Sequence, residues 1–169
     1  MSGRKSKNKG KSYERDVANF LTELYDESFT RVPYSGAFVG GQNIVRTETL
    51  SEDQTRGYKG DIHPGPSFPK LVIEAKNYGE FAWHNLALNK PIAQLDDWIQ
   101  QAKDACEPGD KWLLCVKITR QGQFVLWDPL MWTRWTCPSY QDYLYKAFDL
   151  FWKEHKDWVK MLSGSISTT

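Results

Sequence analysis

The strongest constraint on this chain is a pair of short segments that each carry an acidic residue. The first is Gly60-Asp61-Ile62 and the second is Leu71-Val72-Ile73-Glu74-Ala75-Lys76. Twelve residues separate Asp61 from Glu74, which is enough for two short strands joined by a turn. Side chains alternate along a strand with a period of two, so Lys76 is expected on the same side as Glu74. The pattern predicts two carboxylates and one amine close together.

This acidic pair predicts a site for a hard divalent cation. Mg²⁺ prefers oxygen ligands and keeps several waters, so Asp61, Glu74 and a substrate phosphate are enough to hold it. The backbone carbonyl of Ala75 is a further candidate ligand, and Glu14 on an upstream helix is a candidate outer ligand or holder of a second metal. The Lys76 ammonium is placed to orient an attacking water or to stabilise charge on the phosphate. The combination favours hydrolysis of phosphodiesters.

A structural interpretation of the same residues is also open. In that interpretation Asp61 caps a turn, and Glu74 and Lys76 form an exposed strand face. The spacing alone is weak, because Glu154-His155-Lys156 has it too. That second set lies in a predicted helix, where residues two apart do not face each other, and we expect it on a solvated face. The apolar run before Glu74 and the glycine before Asp61 distinguish the first set.

Charge is unevenly distributed along the chain. Residues 1–11 hold five of the 22 basic residues and none of the 21 acidic ones. The remaining segment therefore has four more acidic than basic side chains. A basic arm suits contact with a phosphate backbone, although a solvated, disordered terminus would have the same composition. The basic residues are Arg4, Lys5, Lys7, Lys9 and Lys11.

Apolar spacing and turn signals predict alternating helices and strands. We expect helices over Ser12–Tyr25, from Pro91 to about residue 106, and over 139–162. We expect extended segments at Phe29–Tyr34, Asp61–His63, Lys70–Lys76, Lys111–Ile118 and Gln123–Trp127, with loops at 36–60 and 77–90. This order predicts an α/β (α+β mixed) fold with a central mixed sheet of about five strands flanked by helices. Residues 12–162 are expected to form one domain, with 1–11 as a flexible arm and 163–169 as a tail.

The sequence gives few signs of other functional classes. The three cysteines have no Cys-x-x-Cys spacing, and we expect them to be reduced packing residues. No apolar run approaches the roughly 20 residues of a membrane span, and the basic start has no apolar stretch behind it. Gly40-Gly41 lacks the Lys and Ser/Thr of a phosphate-binding loop, so no nucleotide cofactor is expected. We therefore expect a soluble, cytoplasmic protein with no membrane partner.

Three further groups of residues have two interpretations each. The basic residues of the long loop either contact DNA or are ordinary solvated charges. The aromatic residues after the Glu74 strand either stack on bases or fill the core. His63 either approaches the acidic site or packs at the surface. The loop residues are Arg46, Arg56 and Lys59, and the aromatic residues are Tyr78, Phe81 and Trp83.

Four segments together resemble the PD-(D/E)XK nuclease superfamily. More narrowly, they resemble archaeal-type Holliday junction resolvases and their bacterial and phage relatives, over about residues 8–118. The segments are Gly10-Lys11-Ser12-Tyr13-Glu14-Arg15, Arg31 with Ser35-Gly36, Gly60-Asp61-Ile62 and Val72-Ile73-Glu74-Ala75-Lys76.

The resemblance implies a fold, a cofactor and a partner. It implies a restriction-endonuclease-like fold, dependence on Mg²⁺ with Mn²⁺ as a substitute, and a homodimer that makes paired symmetric nicks in four-way DNA junctions during recombination and repair. By position, Glu14 matches the family's helical glutamate, and Asp61, Glu74 and Lys76 match its core triad. Ser35 matches a serine near the scissile phosphate. Arg31 matches a phosphate contact, and Gln94 a glutamine on the following helix.

Three features depart from the resemblance. Gly60 replaces the proline usual before the aspartate, the loop at 36–60 is longer than in the archaeal type, and the aromatic C-terminal helix lies outside the match. Two other functions therefore stay open. One is a restriction-type or phage DNA-degrading nuclease with the same core, and the other is a DNA-binding protein without catalysis.

Overall fold

The computed structural model describes residues 2–33, 59–129 and 137–164. Over these residues it has four helices and seven strands. The helices are α1 (Ser2–Tyr25), α2 (Trp83–Ala87), α3 (Ala93–Asp104) and α4 (Phe148–Ser163). The strands are β1 (Thr30–Arg31), β2 (Ile62–His63), β3 (Leu71–Tyr78), β4 (Lys111–Ile118), β5 (Gly122–Trp127), β6 (Ser139–Tyr140) and β7 (Tyr143–Ala147). Most of the predicted loop at 36–60 lies outside the described residues.

The strands form one mixed sheet in the order β1-β2-β3-β4-β5-β7-β6. β3 and β4 are parallel, from Leu71 opposite Lys111 to Tyr78 opposite Ile118, and the other neighbouring pairs are antiparallel. A parallel pair needs a crossover connection, which α2 and α3 supply. Because α3 runs back across the sheet to reach β4, its first turn lies at the end of β3 that carries Lys76.

The sheet is covered by helices on both faces. Alternate residues of β3 point to opposite faces, and its apolar run is buried on both sides, as is typical of a central strand. The core on the α1 and α4 side includes Tyr13, Val17, Leu21, Ile73, Ala75, Cys115, Trp127 and Phe151. The core on the α3 side includes Val72, Leu95, Trp98, Ala102, Leu114 and Val116. The predicted mixed sheet between helices is confirmed.

Helix α1 begins ten residues before its predicted start. It starts at Ser2 rather than Ser12, so the segment expected to be a flexible arm forms the first turns of the helix. Lysine and arginine are good helix formers, and Gly10 in the helix interior costs only about 1 kcal/mol relative to alanine. The prediction began at Ser12 because the apolar period of the helix begins there.

The C-terminal helix begins at Phe148, nine residues after its predicted start at Ser139. Residues 139–147 instead form the hairpin β6–β7, with Gln141 at a φ of 52° in the turn. In β7, Leu144 and Tyr145 pair with the last two residues of β5. Pairing with a sheet overrides a local capping pattern, because strand formation depends on the neighbouring strand. This hairpin raises the strand number from the predicted five to seven.

Smaller predictions have mixed outcomes. The short helix α2 lies in the predicted loop at 77–90, and α3 begins two residues after Pro91. All three cysteines are free and Cys115 is buried, as predicted. In the part of the chain that the structure describes, no helix combines the length and apolar composition that a bilayer span requires.

Gly60 occupies a position that other residues do not fit. Its φ is +70°, and a Cβ there would lie 2.7 Å from the carbonyl oxygen of Ile73 and 3.2 Å from Cγ1 of Val72. Proline has a φ near −65° and cannot adopt this conformation. The glycine therefore lets the chain turn tightly against β3 immediately before Asp61.

We predict that Gly60→Ala destabilises the protein more than Gly109→Ala does. Gly109 has a φ of +88° but open space around it, so its substitution costs only the left-handed conformation, about 1–2 kcal/mol. The Gly60 variant also forces its Cβ against backbone, which adds about 1–3 kcal/mol. Urea unfolding of both variants measures the difference. Equal losses would contradict the close approach to Ile73.

Candidate active site

Asp61 is fixed at the edge of β3 by three hydrogen bonds. Its backbone N–H donates to the carbonyl of Ile73 at 2.8 Å, and its carbonyl accepts the N–H of Val32 at 2.9 Å. Its Oδ2 accepts the N–H of Ala75 at 2.9 Å. The carboxylate thus satisfies a strand N–H beyond the last β2–β3 residue pair. The Asp61 side chain is buried beside β3 with a defined orientation.

Glu74 and Lys76 lie on one side of β3, as the strand period predicts. The Lys76 ammonium is 3.1 Å from Oε2 of Glu74 and 3.6 Å from Oδ2 of Asp61. Glu74 is only 7% exposed, so the interpretation of an exposed strand face is wrong. Asp61 therefore meets Glu74 and Lys76 at one point, although it lies 13 residues before Glu74 in the sequence.

Burial and the two neighbouring carboxylates shift the pKa values of this cluster. Burial, and next the negative charge of Asp61, raise the pKa of Glu74 to about 8, although Lys76 opposes the shift. Burial by itself would lower the pKa of Lys76, but Asp61 and Glu74 together raise it above its ordinary value. Lys76 consequently stays charged, and the second negative charge that an ionised Glu74 would add to the cluster is disfavoured.

Glu14 lies next to this cluster and is held by Arg31. Nε of Arg31 donates to Oε2 of Glu14 at 2.5 Å, which links α1 to β1. Burial, and next the charge of Asp61, raise the pKa of Glu14, while Arg31 opposes that shift. Glu14 is therefore close enough to Asp61 for the charge of that residue to affect its pKa. Arg31 is the residue predicted to contact phosphate. In the structure its Nε donates a hydrogen bond to Glu14.

The donor set fits a hard divalent cation. Asp61 and Glu74 supply carboxylate oxygens, and a protein ammonium already lies where positive charge is needed. The N–H and C=O of one strand residue point to the same side of the strand, so the carbonyl of Ala75 faces the Asp61 edge. Oxygen ligands of this kind suit Mg²⁺. Within the described ranges, no group of three acidic, histidine or cysteine side chains is arranged around one point.

The predicted DNA contacts have different placements. Lys9 and Lys11 are exposed on α1, and the carbonyl of Lys9 accepts a hydrogen bond from the Asn77 side chain at 3.3 Å. The turn of α1 that carries Lys9 therefore lies beside Asn77 at the end of β3. Gln94 is half-buried in the first turn of α3. The side chains of Lys5 and Lys7, and all of Ser35, lie outside the described part of the chain, as do Arg46 and Arg56.

Lys59 is a residue whose position the sequence did not indicate. It is 7% exposed, and its ammonium lies 2.6 Å from Glu107 and 3.3 Å from Asp110, in the turn between α3 and β4. Both interpretations of Lys59 as a loop charge, on DNA or in solvent, are therefore wrong. The ion pairs fix the chain two residues before Asp61. In the sequence, only the neighbouring Gly60-Asp61 pair marks this position as close to the site.

Two other sequence interpretations are settled by location. His63 is exposed and lines a depression of about 320 Å³ formed by the proline-rich turn after β2. In the second Glu-x-Lys set, Glu154 is exposed on α4 and pairs with Lys146, whereas His155 is buried. The expectation of a solvated face therefore holds for Glu154 and is wrong for His155.

Comparison with known families gives one result that covers most of the chain. The family model described as "Phage putative PDDEXK endonuclease" matches residues 5–162. The matched range includes Glu14, Asp61, Glu74 and Lys76, and it extends through the aromatic C-terminal helix. Comparisons with curated proteins and with solved structures gave no match.

We predict that Glu74 makes the metal-free protein less stable as the pH rises. Its pKa is raised from 4.5 to about 8 on folding, so between these values the folded state binds more protons than the unfolded state. The free energy of unfolding should fall by up to about 1.4 kcal/mol per pH unit from this group. Urea unfolding in EDTA should show a flatter pH dependence for Glu74→Gln than for the wild type.

The matched control for this experiment is Glu23→Gln, which makes the same substitution at an exposed position on α1. It should keep the wild-type slope. Identical slopes for all three proteins would mean that Glu74 does not take up a proton on folding.

Proposed function

This chain belongs to the phage PDDEXK endonuclease family, and we propose that it is a Mg²⁺-dependent DNA endonuclease that resolves four-way junctions as a homodimer. Family membership makes it a nuclease of the PD-(D/E)XK superfamily, a hydrolase of phosphodiester bonds with DNA as its substrate. The dependence on Mg²⁺, the specificity for four-way junctions and the homodimer are our proposal.

One observation carries the proposal. The Lys76 ammonium lies within 4 Å of both the Asp61 and the Glu74 carboxylates, at the edge of a central strand. Buried acidic groups without a structural partner of equal charge are costly, and a strained acidic cluster of this kind is typical of a catalytic site. A cation bound there would favour the charged form of Glu74 and lower its pKa.

Each side chain has a separate task in this proposal. Asp61 and Glu74 hold the cation, with the Ala75 carbonyl beside them. The bound cation would supply a Lewis acid for the phosphate and the attacking water. Lys76 directs its ammonium at the charge that develops on the phosphoryl oxygens and orients the nucleophile. Glu14, positioned by Arg31, completes the negative surroundings of the cation or holds a second one.

Basic residues near the site supply a path for the DNA backbone. Lys9 and Lys11 are exposed on the turns of α1 that approach Asn77 of β3. Lys117 of β4 lies on the face of the sheet that α1 covers, with its ammonium 5.6 Å from the ring centroid of Tyr13. Lys5 and Lys7 belong to the same basic segment in the sequence, and Arg31 contacts Glu14. Gln94 is proposed as a further DNA contact, and Ser35 is proposed near the scissile phosphate. Paired symmetric nicks require two such sites, which is why a homodimer is part of the proposal.

The first test is cleavage of a labelled four-way junction with and without Mg²⁺. We expect Mg²⁺-dependent, symmetric nicks in the junction and much slower cleavage of a linear duplex made of the same arms. Asp61→Asn and Glu74→Gln should abolish cleavage but keep binding, because a lost ligand removes the cation and not the basic segment. Lys76→Met should slow cleavage by about 100-fold.

Glu154→Gln is the matched control, since Glu154 has the same Glu-x-Lys spacing on α4. It should cleave at the wild-type rate. Equal cleavage of duplex and junction would favour a restriction-type or DNA-degrading nuclease. Binding without cleavage at every Mg²⁺ concentration would leave a non-catalytic DNA-binding protein, and wild-type activity in Asp61→Asn would refute the site.

The second test measures the salt dependence of binding. Each phosphate neutralised by a basic residue adds about 0.9 to the slope of log affinity against log salt. The double variant Lys9→Gln/Lys11→Gln should therefore lower that slope by about 1–2, measured on a fluorescent junction in EDTA. These substitutions keep the helix-forming character of α1.

The control for the salt experiment is Lys153→Gln, which removes an exposed charge from α4. Its slope should equal that of the wild type. An unchanged slope in the double variant would mean that the start of α1 does not contact DNA.

A further inference from the structure

Tyr78 is an exposed aromatic residue on the strand that carries the candidate catalytic lysine. It follows Lys76 by two residues, so both side chains leave β3 on the same face. Its side chain is 41% exposed, and it is the one aromatic residue among the large exposed hydrophobic side chains of the described residues. Two strand residues span about 6.6 Å, similar to the reach from a phosphate to its own base in a nucleotide.

We infer that Tyr78 is a stacking site for a DNA base that has lost its stacking neighbour at a branch point. This inference rests on the proposed function, because it places the phosphate of the same nucleotide at Lys76. Bases within an intact duplex are stacked on both faces and are not accessible to a side-chain ring. A base at a branch point has one open face, which an aromatic ring can cover.

The ring of Tyr78 is held by aromatic residues behind it. Its centroid is 4.7 Å from that of Trp98 on α3, and Trp98 is 3% exposed. Phe81 in turn stacks on Trp98 with a centroid distance of 6.1 Å and an interplanar angle of 12°. Phe81 and Trp83 are both half-buried in this cluster, so for these two residues the structure favours core filling.

The backbone at Tyr78 is also fixed. Its carbonyl accepts the N–H of Thr119 at 2.8 Å, and the residue pairs with Ile118 of β4. A ring on a central strand with a packed aromatic behind it loses little conformational freedom when a base binds. Such preorganisation lowers the entropic cost of binding.

Charge around Tyr78 suits a nucleotide. Asn77, the preceding residue, contacts the carbonyl of Lys9 on the opposite face of the sheet. The end of β3 therefore presents a basic helix on one face, and the Lys76 and Tyr78 side chains together on the other face. A DNA strand that crosses this end of the sheet can place its phosphate at Lys76 and its base on Tyr78.

The test measures binding in the cleavage-inactive Glu74→Gln protein, in EDTA. The probes are a four-way junction with 2-aminopurine at the branch point and a linear duplex with 2-aminopurine inside one arm. Tyr78→Ala should bind the junction about 10-fold more weakly and should no longer quench the 2-aminopurine emission. Its affinity for the duplex should not change.

Three further variants separate the stacking from other effects. Tyr78→Phe should keep the wild-type affinity and quenching, because the ring and not the hydroxyl is required. Tyr78→Leu keeps an apolar contact with Trp98 without a π face, and should lose both effects even if the alanine variant folds poorly. Leu150→Ala removes an exposed apolar side chain from α4, which covers the opposite face of the sheet, and should change neither.

The outcomes distinguish this inference from the proposed function. Equal losses on junction and duplex, a Phe variant as weak as the Leu variant, or unchanged junction binding in the Leu variant would overturn the stacking role. Mg²⁺-dependent cleavage by the wild type would still support the nuclease in each of these cases. A wild type that never cleaves would refute the nuclease, while the binding experiment would still decide whether Tyr78 stacks on a base.

Discussion

The hydrogen bond from the backbone N–H of Ala75 to the carboxylate of Asp61 is the interaction on which the site depends. Strand β2 ends its pairing with β3 at Ile62 opposite Ile73, and a buried strand N–H beyond that point needs another acceptor. The Asp61 side chain supplies it. The same hydrogen bond therefore completes the sheet edge and brings one carboxylate next to Glu74. Gly60 makes this possible by its left-handed turn against Ile73, and the buried ion pair of Lys59 with Asp110 fixes the chain before the turn.

The side chains of strand β3 alternate between the two faces of the sheet, so the strand contributes to both the core and the site. Ile73 and Ala75 face α1 and α4 within the core, whereas Glu74, Lys76 and Tyr78 leave the opposite face in succession. A shift of one residue in the pairing with β4 would exchange these two sets and would place the acidic group in the apolar layer. The long parallel pairing with β4 fixes the register of β3, and the register keeps the apolar residues in the core and the acidic residues at the site.

The parts of the site that sequence could predict are those set by local periodicity. The common side of Glu74 and Lys76 follows from the strand period, and the approach of Asp61 follows from a short turn between two strands. Their catalytic and metal-binding roles stay predictions. The pairing of Lys59 with Asp110 spans 51 residues, and no local pattern encodes it. The hairpin at 139–147 was mistaken for a helix because Tyr140, Tyr143, Leu144 and Ala147 fit a helical stripe, while the strand that pairs with them lies elsewhere in the chain.

Helix α1 has two unlike halves, and this has a consequence for how such a protein can change during evolution. Its 24 residues span about 36 Å, but among the side chains that the structure describes, from residue 8 onward, the buried stripe begins at Tyr13. Lys9 and Lys11 are exposed before that point and lie outside the apolar core. Substitutions there can therefore accumulate without loss of folding stability and can adjust the affinity for a polyanion, whereas the second half is constrained by packing. Selection can thus act on attraction to nucleic acid and on the integrity of the fold almost independently within one continuous helix.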